Sequence, residues 1–118
     1  VINIDDLPPK KIFFSIKEVA QLFNLNESTL RYWETEFHQL KPKRQGKQRS
    51  YTKQDIELIN QIYFSLKQQQ LTIEGTRKAL KESSTKTMDS YHLIQNLFTI
   101  RNKLLKLKNT INDTLSHE

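Results

Sequence analysis

Five cations fall within the stretch LKPKRQGKQRSY, from Leu40 to Tyr51: Lys41, Lys43, Arg44, Lys47 and Arg49. The chemistry open to such a cluster is electrostatic. Each arginine carries a planar fork of N–H donors that fits a phosphate in bidentate fashion. Cations laid along a nucleic acid backbone release its condensed counterions, a contribution independent of base sequence. The plainer reading is a solvated loop that happens to be charged. The chain as a whole leans toward a polyanion, with a net charge of +6 and an isoelectric point near 9.6. That balance favours nucleic acid first and an anionic membrane second.

Other chemistries find no constellation. There is no cysteine, which removes disulfides, thiolate metal sites and thiol nucleophiles together. His38, His92 and His117 stand apart, without the spacing of a metal-binding helix, and are expected at the surface. Glu34 and Glu36 fall on different sides of a helix, so they do not form an acid–base pair. No glycine-rich phosphate loop occurs. The expectation is therefore no enzyme, no catalytic residue, no metal and no cofactor. No apolar run approaches the roughly 20 residues that span a bilayer, and no signal peptide is present. A cytoplasmic protein with no membrane partner is expected.

Length and composition bound the scaffold. The 118 residues fit one ordinary domain plus some extra length. Few glycines and prolines suit helices better than strands. Residues 1–11, with DDLPPK, read as an irregular arm. Ser15 followed by Glu18 is a capping box. Ile16, Val19, Ala20 and Phe23 then supply one helical stripe. Asn24-Leu25-Asn26 interrupts it, and Asn26 is a good N-cap for a second helix. There Leu30, Trp33 and Phe37 share a face, while Ser28, Arg31, Tyr32 and Thr35 point broadly the other way. Two short helices joined by a tight turn, the second with a polar face, make the helix-turn-helix pattern. Such a second helix can lie in a major groove with its N-terminal residues against base edges.

The basic stretch itself opposes helix at Pro42. It predicts two short strands, Leu40 to Arg44 and Gln48 to Tyr51, turning at Gln45-Gly46-Lys47. A third helix is predicted from Thr52, with Asp55 in its first turn and Ile56, Ile59, Tyr63 and Leu66 as its stripe. A short fourth, from Thr72, buries Ile73, Thr76 and Leu80. Farther on, Leu93, Leu97, Ile100, Leu104, Leu107, Ile111 and Leu115 step by 4, 3, 4, 3, 4 and 4, close to a heptad seam. A helix of about 28 residues from Met88 reaches ~42 Å. Its seam either folds back over the small domain or pairs with a second copy.

This order of elements resembles the MerR family of bacterial transcription regulators. The resemblance rests on FSIKEVAQLF for the first helix, on STLRYWE where the family writes T-L-R-Y-Y-E, and on LKPKRQGKQRSYTKQDIELI where it writes L-x-P-x-R, a turn, G-Y-R-x-Y and an Asp-containing helix. LTIEGTRKAL matches its short fourth helix. Trp33 stands in place of the second tyrosine, and its spacing from Leu30 points it into the core. The stretch from Arg44 to Arg49 is one residue shorter than usual, with Lys47-Gln48 in place of Gly-Tyr.

The resemblance implies a mainly α fold: a winged helix-turn-helix with a small β-hairpin wing, followed by a long C-terminal coiled-coil helix. It divides the chain into an arm (1–11), a DNA-binding domain (12–81), a linker (82–87) and a dimerisation helix (88–118). It implies a homodimer on a pseudo-palindromic site in double-stranded promoter DNA, which the dimer distorts, with RNA polymerase a candidate partner there. The wing cations Lys43, Arg44, Lys47 and Arg49, with Tyr51 closing the hairpin, would lie along the DNA backbone. Ser28, Thr29 and Arg31 would face base edges. Tyr32, and Lys17 at the start of the first helix, would meet phosphate. The seam from Leu93 to Leu115 would form the dimer interface. Two other functions compete: an excisionase-like architectural factor that bends DNA, and a module whose long helix binds a partner protein.

Overall fold

The computed structural model describes residues 1–82 and 86–116. The helix-turn-helix forms over the residues predicted for it. Helix α1 (Ile16–Phe23) opens on a complete capping box, Ser15 Oγ accepting from the Glu18 N–H at 3.2 Å and the Glu18 carboxylate accepting from the Ser15 N–H. It buries Val19, Ala20 and Phe23. It stops at Asn24, whose φ of 53° is left-handed, a conformation that asparagine tolerates better than most residues. The Leu25 N–H then reaches back to the Ala20 carbonyl at 2.9 Å. Helix α2 (Glu27–Glu36) follows after that single turn. Asn26 has the extended backbone of an N-cap, but its side chain makes no capping hydrogen bond, contrary to expectation.

The hairpin is shorter at its first strand than predicted. Leu40 and Pro42 are buried anchors, and strand β2 runs only over Lys43–Gln45, paired with β3 (Gln48–Tyr51). Gln45 opposes Gln48, so Gly46 and Lys47 alone make the turn. Gly46 has φ +66° at the first of these two positions, where a β-carbon would strain the tight hairpin turns that match strand twist. A third strand, β1 (Phe14–Ser15), pairs antiparallel with β3 and was not predicted; the sheet order is β1-β3-β2. Its register sets Phe14 opposite Tyr51, and both rings enter the core.

Helix α3 (Lys53–Tyr63) starts on a second capping box, Thr52 with Asp55, and buries Ile56, Ile59, Asn60 and Ile62. Tyr63 and Leu66, expected in its stripe, are partly buried against the core. The helix widens into a π turn over Phe64–Gln68, and Gln70 adopts a left-handed φ of 54° before α4 (Ile73–Lys81). Thr76 and Ala79 are the buried residues of α4, with Ile73 and Leu80 partly buried.

The N-terminal arm, read as irregular, is docked. It carries one 3-10 turn (Ile4–Asp6) and inserts Leu7 into the core. Asn60, fully buried, accepts from the Ile2 N–H at 2.9 Å and donates from Nδ2 to the Ile2 carbonyl at 2.8 Å. Lys11 pairs with Glu18, and that ammonium holds the Glu18 carboxyl below the usual carboxylate range.

Helix α5 (Lys86–Ser116) joins the domain near its start. Tyr91 is fully buried, edge-on to Phe64 with ring centroids 5.8 Å apart. Its hydroxyl donates to the Glu57 carboxylate and accepts from Asn60 Nδ2 at 3.2 Å. Burial and the Glu57 bond push this phenol well above its ordinary range. Gln95 Nε2 also donates to the Ile2 carbonyl at 3.2 Å. Residues 83–85 of the expected linker at 82–87 lie outside the described residues, and α5 begins within it at Lys86. His38 and His92 are exposed as expected; His117 lies outside the described residues. Among the described residues no helix is long and apolar enough to cross a membrane.

Candidate nucleic-acid interface

Helix α2 presents two faces because its apolar residues repeat every three to four positions. Leu30 and Trp33 are 0% and 3% exposed, so Trp33 is a core residue. Ser28, Arg31, Tyr32 and Thr35 lie exposed on the other side, and Thr29 is half-buried between the faces. Lys17 is exposed in the first turn of α1.

The wing stands beside this polar face. A notch of about 300 Å³ separates them, bordered by Arg31, Glu34 and Thr35 from α2, by Lys41 just before the hairpin, and by Arg44 and Arg49 within it. Lys43, Arg44 and Lys47 are exposed. Lys43 also lies over the ring of Phe13, 5.9 Å from its centroid, and Phe13 is itself exposed ahead of β1.

Two of the wing residues predicted to meet DNA are placed otherwise. Tyr51 is fully buried, so its side chain cannot meet a phosphate; it holds the hairpin to the core. Burial, with the negative charge of Glu34 adding, pushes its phenol above the ordinary range. Arg49 is turned inward: its Nε donates to Glu34 Oε2 at 2.6 Å, and its side chain is only 18% exposed. Arg44 reaches the other oxygen of the same carboxylate at 3.8 Å, with its side chain 62% exposed. Glu34, which the sequence offered only as one half of a rejected acid–base pair, thus joins α2 to the wing. The signal for it was the near-symmetric placing of two arginines around a two-residue turn, which calls for a counter-charge.

The seven seam residues of α5 remain on the surface. From Leu93 to Leu115 each is between 50% and 61% exposed. The domain does not fold over them, which removes the fold-back reading of the seam. Gln95, Phe98, Asn102 and Leu105, which approach the arm, belong to a different face of α5.

A family model described as MerR HTH family regulatory protein matches residues 14–83. The Regulator protein TubY of Clostridium botulinum C phage is 32% identical over 94 residues, covering 79% of this chain. The chain spans 39% of that relative's length. The crystal structure of a MerR-family transcriptional regulator from Bacillus cereus superposes with a TM-score of 0.54, covering 90% of this chain and 77% of that one. At 23% identity that likeness is one of fold.

Proposed function

This chain belongs to the MerR HTH family of regulatory proteins, and from that premise we propose that it binds promoter DNA as a homodimer, reading bases with α2 and holding phosphate with the wing. Family membership supports a DNA-binding transcription regulator. The finer reading rests on one observation: Arg31 on the polar face of α2, Lys41 just before the hairpin and Arg44 within it border a single notch, where they outnumber the one carboxylate, Glu34, that Arg49 holds. A backbone phosphate seated at that notch brings the start of α2 against base edges. Ser28 and Arg31 are the reading residues, with Thr29 contributing from the side. Tyr32, Lys17, Lys43, Arg44 and Lys47 hold phosphate.

The dimer is supported by the exposed seam, Leu93, Leu97, Ile100, Leu104, Leu107, Ile111 and Leu115. Residues 12–81 act as the DNA-binding unit and residues 88–118 as the pairing helix. Two such units bind a pseudo-palindromic site and distort it, changing how RNA polymerase meets the promoter.

Selection of sites from random duplexes tests the reading. A palindromic consensus is the expected result. Binding without sequence preference favours an architectural factor, and no affinity at low salt leaves a protein-interaction module. On the selected site, Arg31→Ala is expected to cost about 1–3 kcal/mol, the discrimination of one bidentate pair with guanine O6 and N7. On a scrambled duplex it should cost less. Equal losses on both would make Arg31 a phosphate contact.

A further inference from the structure

The strand register carries a problem that one residue of α2 resolves. Arg44 and Arg49 are direct cross-strand partners. Like charges placed opposite each other destabilise a hairpin. This hairpin has little to spare, since all three residues of β2 are exposed and its outer edge is unpaired. Yet the two arginines converge on one carboxylate, that of Glu34, whose side chain is only 11% exposed. Glu34 accepts from Arg49 Nε at 2.6 Å and lies 3.8 Å from Arg44 Nη2. One anion therefore contacts both strands of the wing from the helix that faces them.

We propose that Glu34 is a positioning residue for DNA recognition: it locks the wing to α2 through Arg49, so that base reading and phosphate holding move as one body. The two wing arginines then have different tasks. Arg49 is committed to the protein and contributes no phosphate contact. Arg44, more exposed and farther from the carboxylate, is the one that turns to DNA. The inference deepens the proposed reading and rests on it for the DNA measurement, but not for the measurement on the free protein.

A simple electrostatic view gives the opposite expectation. A carboxylate at a DNA-binding face repels phosphate, and deleting it should tighten binding. Charge-assisted hydrogen bonds with arginine are strong enough to outweigh that gain. Glu34→Ala is therefore expected to bind the selected duplex about tenfold more weakly. Arg49→Ala should lose a similar factor, and the double variant no more than either alone, because both remove one interaction. Neither should flatten the dependence of affinity on salt, whereas Arg44→Ala should flatten it by about one phosphate contact. Glu34→Gln, which keeps an acceptor for Arg49 Nε, should fall between wild type and Glu34→Ala.

In the free protein, Glu34→Ala should speed amide hydrogen exchange in β2 and β3 while α3 keeps its protection. Tighter or unchanged binding by Glu34→Ala, with a steeper salt dependence, would mean that Glu34 only shields Arg49 from phosphate, and the proposal fails. Additive losses in the double variant also overturn it. If the wild type binds no duplex, the DNA-binding reading has failed instead. The exchange experiment still decides on Glu34, unchanged wing protection rejecting its role.

Discussion

Helices α3 and α5 carry similar residues to opposite ends. On α3, Ile56, Ile59 and Ile62 are each 0% exposed; on α5, no seam residue from Leu93 to Leu115 falls below 50%. Both sets follow helical spacing, so local pattern does not separate them. What separates them is whether the rest of the chain can reach. The domain wraps α3 with α1, α2, the sheet and the docked arm, while α5, about 46 Å long in all, keeps its seam outside that wrapping. Large apolar residues left in a row mark a surface that expects a partner. The domain is closed on itself and the helix is not.

Three changes probe that contrast, and the largest effect is expected at the seam. In a dimer, Leu104→Glu buries a carboxylate in each copy, at several kcal/mol per ion. Light scattering at micromolar concentration should show the variant as a monomer and the wild type as a dimer. Because Leu104 is 61% exposed in the single chain, the melting of the domain should stay where it was. A monomeric wild type would break the contrast outright.

In the domain the loss should fall on folding instead. Trp33→Ala opens a cavity among buried residues and is expected to cost about 3–5 kcal/mol in chemical denaturation. Far-ultraviolet dichroism under conditions where the variant remains folded should show the helix content unchanged.

The boundary between the two regions should respond least. Asn60→Ala removes the amide that bonds Ile2 and Tyr91, and leaves the Ile2 backbone groups and the Tyr91 hydroxyl short of a partner. A cost of about 1–3 kcal/mol is expected. Faster amide exchange in the first turns of α5 would place the effect at the joint, and unchanged exchange there would assign it to the core of α3.

Much of this was legible in the chain because it is local. The capping box at Ser15 and the helix start at Thr52 with Asp55 in its first turn lie within three residues, and the faces of α1, α2 and α5 follow from helical spacing. The fold class and the family words read correctly. What escaped depends on distant partners. Strand β1 is two residues long, too short for alternation to mark it, and exists because β3 offers it an edge. The fate of Arg49 is set by Glu34, fifteen positions away, and that of Tyr51 by which side of the sheet meets the core. Asn60 and Ile2 are fifty-eight positions apart, so nothing near either one shows the arm docking.

Asn60 also turns an angle into a length. Its amide bonds the arm and Tyr91, where the start of α5 joins the domain. In a dimer paired along α5, each copy's helix would be a lever that carries its own reading helix, with its pivot at this side chain. From Tyr91 to Ser116 the lever is about 38 Å long. A tilt of about 10° at the pivot displaces the far end by about 7 Å, or about two base pairs at 3.4 Å each. A small neutral amide, with no charge to titrate, would thereby set the spacing between half-sites.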